Sequence, residues 1–222
     1  MRATPRRPAL PPDVLAVLLA IALPCLAVEL ALSAADMGWL GSRRWRGIAV
    51  EYGGFWIGLL GDWRPNWPGQ PAAMFLSYAF LHADAGHMLG NMGALLWLGP
   101  PVGRRIGGRR LASAWFLCAA AGGLGFAALA HTPAPVVGAS GALFGLLGLD
   151  AALRHRLRPS PRRLGGVVAL FVLLNGASFV LQGGLLAWQA HLGGFVAGLA
   201  LGAALPLRPT AARQMAGRTT RR

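Results

Sequence analysis

Four stretches of this chain, residues 14–32, 111–130, 164–181 and 188–207, are apolar almost without interruption. Each runs ~20 residues, the length at which a helix crosses a hydrocarbon core. Two further segments, 86–103 and 139–153, are shorter or more polar but lie between clear spans. The composition agrees. Charged residues make up 13% of the 222, where a soluble domain carries about 25%. The expected fold is an all-α membrane protein, a six-transmembrane helical bundle with a long, partly interfacial first loop. Its expected parts are a tail at 1–11, one membrane domain at 12–207 and a basic tail at 208–222.

A net charge of +14 raises the possibility of nucleic-acid binding, but its distribution argues for a membrane. All 21 basic residues are arginine. Seventeen of them fall in the N-terminal tail, in the loops at 104–110 and 154–163, and in the C-terminal tail. Arg43, Arg44, Arg46 and Arg64 lie in the first loop, and the stretches 131–138 and 182–187 hold none. Such alternation is the positive-inside pattern of an even-span protein with both ends in the cytoplasm. The expected location is a bacterial inner membrane, with the lipid bilayer as partner and no nucleic acid.

The N-terminus also carries a secretory-signal look, with arginines, an apolar stretch and small residues before Asp36. The stretch is long for a signal and Glu29 interrupts it, so a retained first span is expected. Cys25 and Cys118 fall in mid-span and read as small apolar residues. The first loop, 36–81, holds five tryptophans, at 39, 45, 56, 63 and 67. Aromatic-rich segments beside a membrane favour the headgroup layer, so interfacial helices are expected there, with Pro65, Pro68 and Pro71 making turns.

Polar residues inside the apolar runs are costly unless they face one another or a water-filled cavity. Here they are His87 and Asn91 on the second run, Ser140 at the head of the fourth and His191 on the sixth. Measured back from the loop arginines at the helical rise, Ser140 and Asn91 lie ~20 Å, and His87 and His191 ~26 Å, from the cytoplasmic side. All four share one layer toward the opposite face. A serine, histidines and an amide are the parts of an acyl-transfer site: nucleophile, base and oxyanion donors. Taken singly, Ser140 and the His87–Asn91 pair read more readily as helix-packing polarity, and His191 reads evenly either way; the shared depth favours a site. Two glycine series support it. Gly141, Gly145 and Gly148 follow Ser140, while Gly194, Gly198 and Gly202 follow His191. If these small-residue faces pack together, serine and histidine meet. No acidic residue is placed to orient His191, so a Ser–His dyad is expected. His131 and His155 read as surface residues, and Asp150 as structural. No His-Glu-x-x-His occurs, and no metal or cofactor is called for.

These residues resemble a known family. His82, His87 and Asn91 in a His-x4-His-x3-Asn pattern, Gly138-Ala139-Ser140-Gly141, and His191 followed by Gly194 and Gly198 are similar to the motifs of rhomboid intramembrane serine proteases. The resemblance covers roughly residues 12–207. It implies that Ser140 is the nucleophile and His191 the general base. His87, Asn91 and the Ser140 backbone N–H would serve the oxyanion. His82 would be structural, and Phe144 would stand where relatives carry a tyrosine packed on the catalytic histidine. The family's Trp-Arg pair before the first histidine is replaced here by Ala73-Met74. The implied activity is endopeptidase cleavage of transmembrane protein substrates in or near their spans. A non-catalytic client-binding protein of the same fold and a small transporter are the alternatives. The oligomeric state stays open.

Overall fold

The computed structural model describes residues 9–181 and 187–207. The expected tails (up to residue 8 and from 208) and the loop at 182–186 lie outside the described residues.

Six long helices occupy the six apolar segments: α1 (Pro12–Asp36), α4 (Ala85–Ile106), α5 (Gly108–Leu129), α6 (Ser140–Leu157), α7 (Pro161–Leu181) and α8 (Trp188–Ala204). Two short ones, α2 (Trp45–Gly53) and α3 (Gln70–Ser77), lie in the first loop beside single 3-10 turns at Ile57–Leu60 and Tyr78–Phe80. Among the described residues α1, α5 and residues 161–180 of α7 are long and apolar enough to cross a membrane by themselves.

Local chemistry sets the boundaries. Pro12 opens α1 and Pro71 opens α3, where a missing N–H costs nothing. Pro71 therefore starts a helix where the sequence suggests only a turn. Asp84 caps α4 by accepting the His87 backbone N–H at 2.8 Å. Gly107, at φ 85°, turns the chain from α4 into α5 in a conformation other residues avoid.

The centre of the bundle is α6, buried along nearly its whole length against α4, α5, α7 and α8. Its tightest neighbour is α8. A side-chain carbon at Gly194, Gly198 or Gly202 would overlap the backbone carbonyls of Gly141, Gly145 and Leu149. The two glycine series thus face each other, and backbone touches backbone. A second close approach joins α5 to α8, with Gly125 against the Gln189 carbonyl and Gly193 against that of Ala121. Leu89, Leu96, Leu117, Leu124, Val172, Leu173 and Val196 project outward, more than half exposed, as lipid-facing side chains do.

The first loop is tied down by polar groups. Arg46 donates to both carboxylate oxygens of Glu29 (2.8 and 3.0 Å), to Asp36 (2.7 Å) and to the His82 carbonyl (3.0 Å). Glu29, the residue that interrupts the first apolar run, is only 2% exposed and finds its buried partner in Arg46. Gln70, fully buried, bonds Glu51 and Asn66. Phe55 and Val136 exchange two backbone hydrogen bonds, pinning the loop beside the entrance to α6.

At the arginine-rich end Asp150 accepts from Arg105 and Arg154, both at 2.5 Å. Arg156 donates to the Gly202 and Leu205 carbonyls, which close the end of α8. These arginines fasten helices together at this end of the bundle. His131 is exposed; His155 is half-buried and accepts the Ser160 N–H.

Candidate active site

Ser140 is the first residue of α6, and its side chain is half-buried at the end opposite the arginines. His191 lies in the first turn of α8 and is 4% exposed. His191 Nε2 and Ser140 Oγ are 2.7 Å apart, although 51 residues separate them in the chain. The packing explains the meeting. Gly141 and Gly194, each next to or one turn beyond these residues, let α6 and α8 approach to backbone contact.

The other face of the imidazole is also engaged. His191 Nδ1 lies 2.7 Å from Asn175 Oδ1, on α7. The Asn175 amide nitrogen donates to the Phe171 carbonyl at 2.8 Å. Phe144 lies over the His191 ring, with centroids 4.4 Å apart and planes 34° from parallel. Phe171 meets Phe144 edge-on at 5.2 Å and contacts Phe195 at 4.7 Å. The ring is therefore bounded by a hydroxyl, an amide and an aromatic face.

His87 approaches from α4. Gly138 has φ +126°, and a side-chain carbon there would sit 2.8 Å from His87 Nε2 and 3.7 Å from Ser140 Oγ. The imidazole and the hydroxyl thus border the same small space, which only a glycine leaves open. The Gly138 N–H is fixed by the Tyr78 carbonyl at 2.9 Å. Tyr78 itself is 1% exposed and donates its hydroxyl to the Ala119 carbonyl at 2.8 Å, under Gly122 and Gly141. Asn91, buried on α4, spends one amide N–H on the His87 carbonyl at 3.1 Å. His82 is 1% exposed just before α4, its ring edge-on to His87 at 5.2 Å, with no hydrogen bond to either ring nitrogen among the described residues.

The structure thus brings Ser140, His191, His87, Gly138 and Phe144 together. It places Asn91 one helical turn below His87, and puts Gly194 and Gly198 at the helix contact. Two neighbours are absent from the sequence reading. Asn175 is one polar residue in an apolar run, the same kind of signal that marks His191. Tyr78 sits in the first loop among many aromatics, where nothing in its spacing distinguishes it. Chemically, a hydroxyl held at an imidazole nitrogen can become a nucleophile. The N–H groups of the first turn of α6 lack intrahelical partners and favour negative charge. The described residues contain no cluster of three metal-ligating side chains.

Known proteins place this arrangement in context. The Rhomboid domain family model matches residues 69–208, which includes the whole site; α1 and most of the first loop precede the match. Rhomboid-like protease 1 of Toxoplasma gondii is 34% identical over 127 residues, 55% of this chain and 43% of its own length. RHOMBOID-like protein 1 of Arabidopsis thaliana is 35% identical over 133 residues, 59% of this chain and 33% of its own. RHOMBOID-like protein 4 of the same plant is 33% identical over 144 residues, 64% and 36% respectively. The chain spans 33–43% of the length of these relatives. All three are eukaryotic and lend no support to a bacterial inner membrane. With the apolar helices, the family match makes the chain a multi-pass integral membrane protein.

Proposed function

Because the chain belongs to the rhomboid family, we propose that it is an intramembrane serine endopeptidase that cleaves membrane-protein substrates through a Ser140–His191 dyad. The observation that carries this reading is the 2.7 Å approach of His191 Nε2 to Ser140 Oγ at the head of a central helix. Ser140 Oγ attacks the substrate carbonyl carbon while its proton passes to His191 Nε2. The resulting oxyanion is met by the Ser140 backbone N–H, the His87 ring and the second N–H of Asn91; the position of His87 and Ser140 Oγ beside Gly138 supports this assignment. As the C–N bond breaks, the leaving amine takes the proton from His191. A water molecule then attacks the acyl-enzyme, giving its proton to His191, which returns it to Ser140 Oγ as the acid product leaves.

Six membrane crossings with both ends cytoplasmic fit this chemistry. The site then lies at the non-cytoplasmic end, and a single-span substrate meets it near the outer face. Small residues at the cut and a substrate helix prone to unwinding suit a site bordered by Gly138. The test is incubation of the purified protein with a single-span test substrate in lipid vesicles. Cleavage is expected from the wild type and none from Ser140→Ala or His191→Ala, with all three equally folded. Undiminished cleavage by either variant would remove the dyad.

A further inference from the structure

We propose that Asn175 is a positioning residue for His191, so that the working unit is a Ser140–His191–Asn175 relay spread over α6, α8 and α7. The proposal rests on the Ser140–His191 reading above. Asn175 Oδ1 lies 2.7 Å from His191 Nδ1, and the His191 Nε2 atom on the far side of the ring lies 2.7 Å from Ser140 Oγ. The amide could in principle face the histidine with either its oxygen or its nitrogen. The Phe171 carbonyl decides between them. It accepts the Asn175 Nδ2 N–H at 2.8 Å, and the reversed amide would set two acceptor oxygens against each other. With Oδ1 facing the ring, His191 Nδ1 must carry the proton. Nε2 then presents its lone pair to the serine hydroxyl, which is the tautomer a general base requires. When Nε2 takes up the serine proton, Nδ1–H stays bonded to Oδ1. The amide takes no charge and gives up no proton.

The placement on α7 gives the bond a reason to exist. This helix is the most exposed of the apolar ones: none of residues 161–180 is buried within the fold. A lone amide on such a helix is costly in lipid unless it is partnered. Asn175 and Phe171, one turn apart, form the inward face of α7, where Phe171 packs on Phe144 and Phe195. Phe144 holds one face of the imidazole, and Asn175 fixes its rotation in the plane.

Steady-state cleavage of a single-span substrate separates positioning from packing. Asn175→Leu keeps the volume and removes the acceptor; Asn175→Asp keeps an acceptor oxygen, and if protonated can still donate to the Phe171 carbonyl. With Asn175→Leu, kcat should fall about ten-fold with KM unchanged, the order expected for losing one neutral hydrogen bond. Asn175→Asp should stay within about two-fold of wild type, well inside that one-bond range. A Leu variant with wild-type kcat, or an Asp variant as slow as the Leu variant, would overturn the role while leaving the dyad standing. A wild type without activity would instead defeat the dyad, and the relay with it. Should the Leu variant not fold, ring 15N chemical shifts of His191 in the wild type decide, assigned against His191→Gln. The Nδ1–H tautomer is expected, and an Nε2–H tautomer would contradict the proposal.

Discussion

At the scale of single residues, Asn91 is where an oxyanion role and helix packing part company. Its amide already donates one N–H to the His87 carbonyl at 3.1 Å, which a packing role would fully explain. If the other N–H serves the oxyanion, Asn91→Ala should lower kcat by roughly 10²–10³ with little change in KM, the usual effect of removing one such donor. Kinetics at saturating substrate check this, and a normal kcat would leave the oxyanion to the backbone and His87. The loss should remain smaller than that of Ser140→Ala, because other donors stay. Ser140 and His191 are legible in the sequence as a pair, because each sits at a matched depth before loop arginines. Asn175 is not, although it obeys the same rule. Its run has no glycine series to point to it, Ser178 makes it one of two small polar residues there, and the expectation of a dyad looks only for a carboxylate.

Helices are where the sequence speaks most clearly and where a missing partner hides most easily. Six apolar runs become six helices with ends shifted by a few residues, because capping by Asp84, Pro12 and Gly107 sets the boundaries. The facing glycine series of α6 and α8 follow from small-residue spacing. The α5–α8 contact through Gly125 and Gly193 does not, since those glycines are not in one repeating series. Gly198→Ala would push a methyl into the Gly145 carbonyl and should destabilise by ~1–3 kcal/mol, as overpacking does. Gly166→Ala on α7, with no atom within 4 Å, should be neutral or stabilise by up to about 1 kcal/mol. Thermal unfolding of both in detergent makes the comparison; equal melting temperatures would mean that the α6–α8 contact is looser than described. The Arg46–Glu29 pair cannot be foreseen, because nothing in local spacing joins residue 46 to 29 across the end of α1. Arg46→Met strands the buried Glu29 carboxylate and should cost ~3–5 kcal/mol, whereas adding Glu29→Leu should recover most of it. A double variant no more stable than the single one would show that the pair acts through something other than charge.

For the whole molecule, orientation joins the arginine pattern to the site. The arginines of the 104–110 and 154–163 loops gather at one end of the bundle, and Ser140 opens α6 at the other. Reporter fusions at residues 107 and 159 should therefore read cytoplasmic, and those at 62 and 134 external. A cytoplasmic reading at 134 would overturn the six-span reading and place the site on the wrong side. The central claim is narrower: the hydroxyl of Ser140 is a nucleophile because His191 is its base. A fluorophosphonate, which bonds covalently to an activated serine, tests it without any knowledge of the natural substrate. After reaction of the purified protein in lipid, peptide mass spectrometry should find the adduct on Ser140, and His191→Ala should remove it while the protein stays folded. An adduct that persists on Ser140 in His191→Ala, or a wild type that forms none, would contradict the account.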